Sequence, residues 1–107
     1  MKLKVINSVS PGTLGILSRK VEDKRIKDLI EQSKVGSVGL CQGNIADMLI
    51  ASDIADKTSN VIVGEISGTC PQHIICIGIF GDTASVETAL AAIESGLKKG
   101  ENSCIKW

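Results

Sequence analysis

The apolar positions of this chain change period several times, and each change marks an element. Residues 35–41 carry Val35, Val38 and Leu40 among small residues, which predicts a strand ending at Gln42-Gly43. Asn44 is a good N-cap, and Asp47 three residues on complements a helix N-terminus. The predicted helix runs to about Lys57 and carries Ile45, Met48, Leu49, Ile50 and Ile54. Asn60 opens a second strand, Val61 to Ile66. After a short loop, residues 73–80 form an almost unbroken apolar run, the mark of a strand buried on both faces. Asp82 or Thr83 caps the next helix, whose apolar face is Val86, Ala89, Leu90, Ile93 and Leu97. Lys98 and Lys99 suit its C-terminal dipole, and Gly100 suits the left-handed position that ends a helix. Residues 103–107 are expected to form a short closing strand.

The order from residue 35 is β-α-β-β-α-β, a ferredoxin-like arrangement of the α+β class. Residues 1–34 are additional. They predict a strand near residues 3–9, a turn at Pro11-Gly12, and one or two helices up to Lys34. Ser10-Pro11-Gly12-Thr13 suits a strand-to-helix corner with Pro near the first helical position. Ile26, Leu29 and Ile30 give the charge-rich stretch 20–34 an amphipathic helical spacing. There is no internal repeat or low-complexity tract, so residues 1–107 read as a single domain.

Composition narrows the function. A hydrophobic share of 43% excludes a disordered chain, and no apolar stretch approaches the roughly 18 residues of a membrane span. Twelve basic residues balance twelve acidic ones, and 2% aromatics leave neither the charge nor the rings that nucleic acid demands. No apolar segment follows the charges of Lys2 and Lys4, so a cytoplasmic location is expected. Zero net charge offers no self-repulsion, which suits a chain that packs against copies of itself.

The four cysteines, Cys41, Cys70, Cys76 and Cys104, form no C-x-x-C pair, so zinc-knuckle and thioredoxin-type readings fall away. Cys76 sits in an apolar strand, Cys41 ends a strand, and Cys104 lies near residue 107; each reads as an ordinary thiol. Cys70 is different. It stands in the loop Ser67-Gly68-Thr69-Cys70-Pro71-Gln72 between the two central strands. Pro71 restricts Cys70 and Gly68 frees the backbone before it, which holds a thiol at a defined angle. Cys-Pro also ends many iron–sulfur ligand runs, but on its own that signal is weak and a plain turn cysteine is the better account of the residues. His73 is the only histidine, and no carboxylate is placed to make it a base. Asp53 and Asp56 beside Lys57 read as a solvated helix end. No glycine-rich phosphate loop and no nucleophile, base and oxyanion set is present, so an enzyme is not expected.

Several segments together resemble the shell proteins of bacterial microcompartments. Ala51-Ser52-Asp53-Ile54-Ala55-Asp56-Lys57-Thr58-Ser59-Asn60-Val61 is similar to that family's first-helix ending, with an Asp, a Lys four residues later and an Asn before the next strand. Gly64-Glu65-Ile66-Ser67-Gly68 and Ile77-Gly78-Ile79-Phe80-Gly81-Asp82 resemble the strands around the shell hexamer's pore, and Ser85-Val86-Glu87-Thr88-Ala89-Leu90 its second helix. The N-terminal strand and helices resemble the elements that circularly permuted members carry at the front. Gly68-Thr69-Cys70-Pro71-Gln72 matches the G-x-C-P-Q pore loop of the GrpU family of glycyl-radical-enzyme microcompartments.

The resemblance implies a circularly permuted BMC domain, ferredoxin-like, in a homohexamer within a cytoplasmic compartment shell. It implies an iron–sulfur cluster, of the [4Fe–4S] kind, shared between subunits at the pore. Cys70 would be the ligand, with Gly68, Thr69, Pro71 and Gln72 shaping the loop. Lys57 would lie at the hexamer edge, supported by Asp53 and Asn60, against other shell proteins around an encapsulated glycyl-radical enzyme pathway. Many shell proteins carry an Arg near the end of the strand that here leads the chain, whereas Asn7-Ser8-Val9-Ser10 has none. The N-terminal stretch is also too short for the barrel that caps the pore in propanediol-type relatives. Two other readings remain: a dimeric ferredoxin-like regulatory or ligand-binding module without metal, and a small thiol enzyme using Cys70 with His73.

Overall fold

The computed structural model describes residues 1–58, 60–68 and 74–102, with the backbone alone for 98–102. In chain order the elements are β1 (Lys2–Asn7), α1 (Pro11–Lys20), α2 (Lys24–Glu31), β2 (Ser37–Asn44), α3 (Ile45–Thr58), β3 (Ile62–Ile66), β4 (Ile74–Gly81) and α4 (Thr83–Asn102). The strands form one antiparallel sheet in the order β1-β2-β4-β3. Counted from β2, this is β-α-β-β-α with the last strand supplied by β1, a ferredoxin-like fold closed by a strand from the front of the chain.

Strand alternation sends side chains to two helical layers. Cys41, Ile77 and Ile79 pack with Met48, Ala51 and Ala55 of α3 and with Val86, Ala89, Ile93 and Leu97 of α4. Val38 and Phe80 pack on the opposite face with Leu17 of α1, with Val21 just after it and with Ile26 of α2. Adjacent residues Ile79 and Phe80 are both fully buried, as a strand covered on both sides requires.

Local chemistry sets the element ends. Ser10 accepts the Thr13 N–H at 3.3 Å, and Pro11 opens α1. The Asp23 carboxylate takes the Arg25 N–H at 2.8 Å and starts α2; its bonds with the Arg25 side chain hold its pKa below the ordinary value. Asn44 Oδ1 accepts the Asp47 N–H at 2.8 Å, and Asn44 Nδ2 donates to Asp47 Oδ2 at 3.1 Å. Asp82, rather than Thr83, caps α4 by accepting the Ser85 N–H at 2.9 Å.

Some boundaries differ from those expected. β2 starts at Ser37 and continues through Gln42 and Gly43 to Asn44, because these pair with Cys76, Ile75 and Ile74 of β4. Tertiary pairing overrides their poor strand preference. Val35 is buried without joining the ladder, and β3 begins at Ile62 rather than Asn60. α4 passes through Gly100 to Asn102, so Gly100 is interior and does not end the helix. The closing strand expected over 103–107, with Cys104, lies outside the described residues.

A buried polar link joins the front of the chain to the core. Ser37 is fully buried, and its hydroxyl donates to Asn7 Oδ1 at 3.1 Å and lies 2.7 Å from Thr83 Oγ1. With the Ser37 proton committed to Asn7, Thr83 is the donor of the second bond. β1, β2 and α4 thus meet at one hydroxyl.

Candidate functional site

The loop that carries Cys70 leaves the sheet between β3 and β4. Its feet are fixed by the ladder, whose last β3–β4 pair is Ile66 with Cys76. The first foot has a second anchor: the Ser67 N–H donates to the Lys20 carbonyl at 2.7 Å, tying the loop to the end of α1. Among the described residues, a Cβ added at Gly68 would meet nothing within 4 Å. Thr69, Cys70, Pro71, Gln72 and His73 lie outside the described residues.

A cavity of about 470 Å³ sits at the base of the loop, lined by Lys20, Gln42, Glu65, Ser67, Gly68 and Cys76 among others. Burial raises the pKa of the half-buried Cys76 thiol. Burial, then the neighbouring Cys76, pushes fully buried Cys41 up to about 12. Both thiols therefore stay protonated at neutral pH, the form that neither binds metal nor attacks. Among the described residues, no group of three or more His, Cys, Asp or Glu side chains is gathered to hold a metal ion.

The structure brings Asp53 and Lys57 together. Lys57 Nζ lies 2.8 Å from Asp53 Oδ2, one helical turn away, and this hydrogen bond raises the Lys57 pKa. Both side chains are well exposed, so the pair contributes little to stability. Asn60 is exposed just beyond the end of α3. α3 ends where β3 begins, whereas the Cys70 loop follows the end of β3. The candidate edge residues and the loop therefore occupy opposite ends of the sheet.

Two features escaped the sequence reading. The Lys20–Ser67 bond links residues with no motif between them. On α3, Ile45 and Leu49 are exposed rather than part of the buried face formed by Met48, Ala51 and Ala55. Spacing alone does not separate them, because Met48 lies three residues from Ile45 and next to Leu49.

A split βαβ core closed by an N-terminal strand, with the β3–β4 connection at one end and an exposed lysine at the other, is the arrangement expected of a permuted shell subunit. The BMC domain matches residues 37–106, so the chain belongs to the BMC-domain family of structural microcompartment shell proteins. The match begins at the first residue of β2 and leaves β1, α1 and α2 in front of it, as circular permutation requires. The chain is similar to the GrpU microcompartment shell protein from Clostridiales bacterium 1_7_47FAA, solved ligand-free: 33% identity over 94% of this chain and 95% of that one, TM-score 0.69. The ligand-free GrpU shell protein from Pectobacterium wasabiae is 29% identical over 87% of this chain and 99% of its own, TM-score 0.67. The fused permuted hexameric shell protein MSM0275 from the RMM microcompartment shares the fold at 14% identity, TM-score 0.66, over 91% of this chain and 45% of that one. No curated protein matches the chain. Among the described residues, no helix is long and apolar enough to cross a membrane.

Proposed function

We propose that six copies of this chain close into a ring with their β3–β4 loops around the symmetry axis, where Cys70 thiolates share an iron–sulfur cluster. The ring would be one tile of the shell around a cytoplasmic compartment that encloses a glycyl-radical enzyme pathway. The observation that carries this reading is the separation of the two candidate sites. A loop at one end of the sheet and Lys57 at the other suit a wedge with its tip at an axis and its base at a rim.

Thiolate supply argues for sharing between copies. A [4Fe–4S] cluster takes about four cysteines. Cys41 and Cys76 are held protonated within the sheet, which leaves Cys70 and Cys104, and two thiols per chain fall short of four, so the ligands would come from several chains. A cyclic assembly turns one thiol into a ring of them. Gly68, Thr69 and Pro71 would set the angle of the thiol, and Gln72 would donate hydrogen bonds near the cluster. At the rim, Asp53 would orient Lys57 for packing against a neighbouring tile, with Asn60 beside it. A bound cluster supplies one-electron transfer across the shell, or iron–sulfur units for an enclosed enzyme.

Native mass spectrometry of protein purified without oxygen, beside Cys70→Ser, tests both parts. The expected result is a hexamer carrying iron and sulfide mass that the variant loses while remaining hexameric. A dimer or monomer under gentle conditions refutes the ring. A hexamer that fails to take up iron and sulfide under anaerobic reconstitution refutes the cluster.

A further inference from the structure

The sheet has two open edges. β1 and β3 are its outer strands, and no described residue pairs with their outer sides. Rotation about an axis at the loop end of the sheet brings each flank against a neighbour at the same distance from that axis. Two flanks that meet in a ring must therefore match level by level, counted outward from the loop. The ladder fixes those levels. Across the four strands Lys2 shares a row with Ile66, Leu3 with Glu65, Lys4 with Gly64 and Val5 with Val63. Leu3 packs against the α3–α4 core, so alternation puts Val5 on that face and Lys2 and Lys4 on the α1–α2 face.

On the α3–α4 face the β3 flank is apolar. Ile45 and Leu49 are 57% and 66% exposed, and with Val63, Ile75 and Ile77 they line a groove of about 350 Å³. On the same face the β1 flank carries exposed Met1 and Val5 at the levels this groove spans. Val5 shares the Val63 row, and Met1 Cβ would stand 3.6 Å from a Cβ on Gly43, the partner of Ile75.

On the α1–α2 face the β3 flank is acidic. Glu22, Asp23 and Glu65 line a hollow of about 130 Å³ with Ser67. It lies at the level of Gly64, where an added Cβ would stand 3.8 Å from Asp23 Cβ, and that is the row of Lys4. Arg25 already pairs with Asp23 at 2.8 Å. Glu22, Glu65, Lys2 and Lys4 are exposed, and among the described residues they have no ion-pair partner.

We propose that these two flanks form the head-to-tail junction between neighbouring copies: Met1 and Val5 of one copy enter the α3 groove of the next, and Lys2 and Lys4 face its Glu22 and Glu65. The junction rests on the ring proposed above and assigns the surfaces that close it. The apolar and the charged halves match in both layers and at the same levels, as only a heterologous contact allows. A two-fold dimer through either edge would set lysine against lysine or carboxylate against carboxylate. The junction needs no cluster, so Cys70→Ser leaves it unchanged.

Charge exchange tests it. One variant carries Lys2→Glu and Lys4→Glu, the other Glu22→Lys and Glu65→Lys, and circular dichroism checks that both are folded. Native mass spectrometry follows the parent, each variant alone, and the two variants mixed with one of them labelled with heavy nitrogen. Either variant alone sets like charges across every junction, so its subunits should associate at least about tenfold more weakly than the parent's. Mixed, they restore opposite charges at every junction and should form hexamers holding three copies of each. Intact rings of either variant alone, no rings from the mixture, or rings of random composition overturn the junction while a hexameric parent keeps the ring. A parent that forms no hexamer refutes the ring itself and the junction with it.

Discussion

α2 meets β3 at Gly64, and a single methyl group decides how close they come. A Cβ added at Gly64 would run into Cδ1 of Ile26, whereas its next neighbours, Asp23 Cβ and Ile26 Cγ1, stand at an ordinary 3.8 Å. Ile26 is fully buried, so that methyl has no space to retreat into. Gly64→Ala alone overpacks the site and should lose about 1–3 kcal/mol. Ile26→Val deletes the obstructing methyl and should lose about 0.5–1.5 kcal/mol through the gap it leaves. Simple addition gives the double variant a loss of about 1.5–4.5 kcal/mol. The geometry predicts otherwise: the new Cβ fills the space the old methyl left. The double variant should then lie within about 1 kcal/mol of the parent, with a coupling of roughly 1–3 kcal/mol. Urea unfolding followed by circular dichroism measures all four proteins, at one chain concentration because assembly stabilises by mass action. Equal slopes with additive midpoint shifts would refute the reasoning. The helix backbone, rather than Ile26 Cδ1, would then set the spacing.

Two further outcomes follow from buried groups. Ser37→Ala removes the bonds to Asn7 and Thr83 and should lose about 1–2 kcal/mol in the same urea assay, with β1 amides losing hydrogen-exchange protection first; unchanged β1 protection would show that the hydroxyl does not hold the strand. For Cys41, the thiol ionises from its ordinary 9.0 in the unfolded chain but only near 12 in the folded one. The unfolded state therefore binds fewer protons between these values, and stability falls as pH rises from about 9 toward 12. Cys41→Val should flatten that part of the pH profile, and an unchanged slope would count against a buried neutral thiol.

What was legible in the sequence was what local spacing encodes. Asn44 with Asp47, and Asp82 with Ser85, are cap pairs three residues apart, and both helices begin where those residues place them. The apolar run into Phe80 required cover on both faces, and the two helical layers supply it. The permuted topology and the shell class were legible through combined segments rather than any one motif. Long-range facts were not. Asn7, Ser37 and Thr83 meet across large sequence separations, so no periodicity announces their hydroxyl link. On α3, hydrophobicity alone could not divide Met48 from Ile45 and Leu49. Which apolar residues face inward depends on where α4 and β3 lie, and α4 packs on the other flank. Gly100 matched a helix end by residue type, yet α4 continues through it. For the candidate site, the isolation of Cys70 in a loop was readable, whereas the Lys20 anchor of that loop was not.

Circular permutation leaves both candidate sites on uninterrupted chain. β1 occupies the outer slot beside β2, so moving that strand to the front leaves the β2-β4-β3 order intact. The α3 ending, β3, the Cys70 loop and β4 all fall between residues 45 and 81, so the distance from loop to rim is set within one continuous stretch. What the front segment adds is a second hold on the loop. α1 ends at Lys20, and its carbonyl takes the Ser67 amide beside the last β3–β4 pair. Two anchors from distant parts of the chain then fix the first foot of the loop, the ladder through Ile66 and the bond to α1. A foot held from two directions resists both sliding along the strand and swinging out of the sheet plane. That is the restraint a loop needs if its thiol is to meet the same thiol from neighbouring copies at one axis.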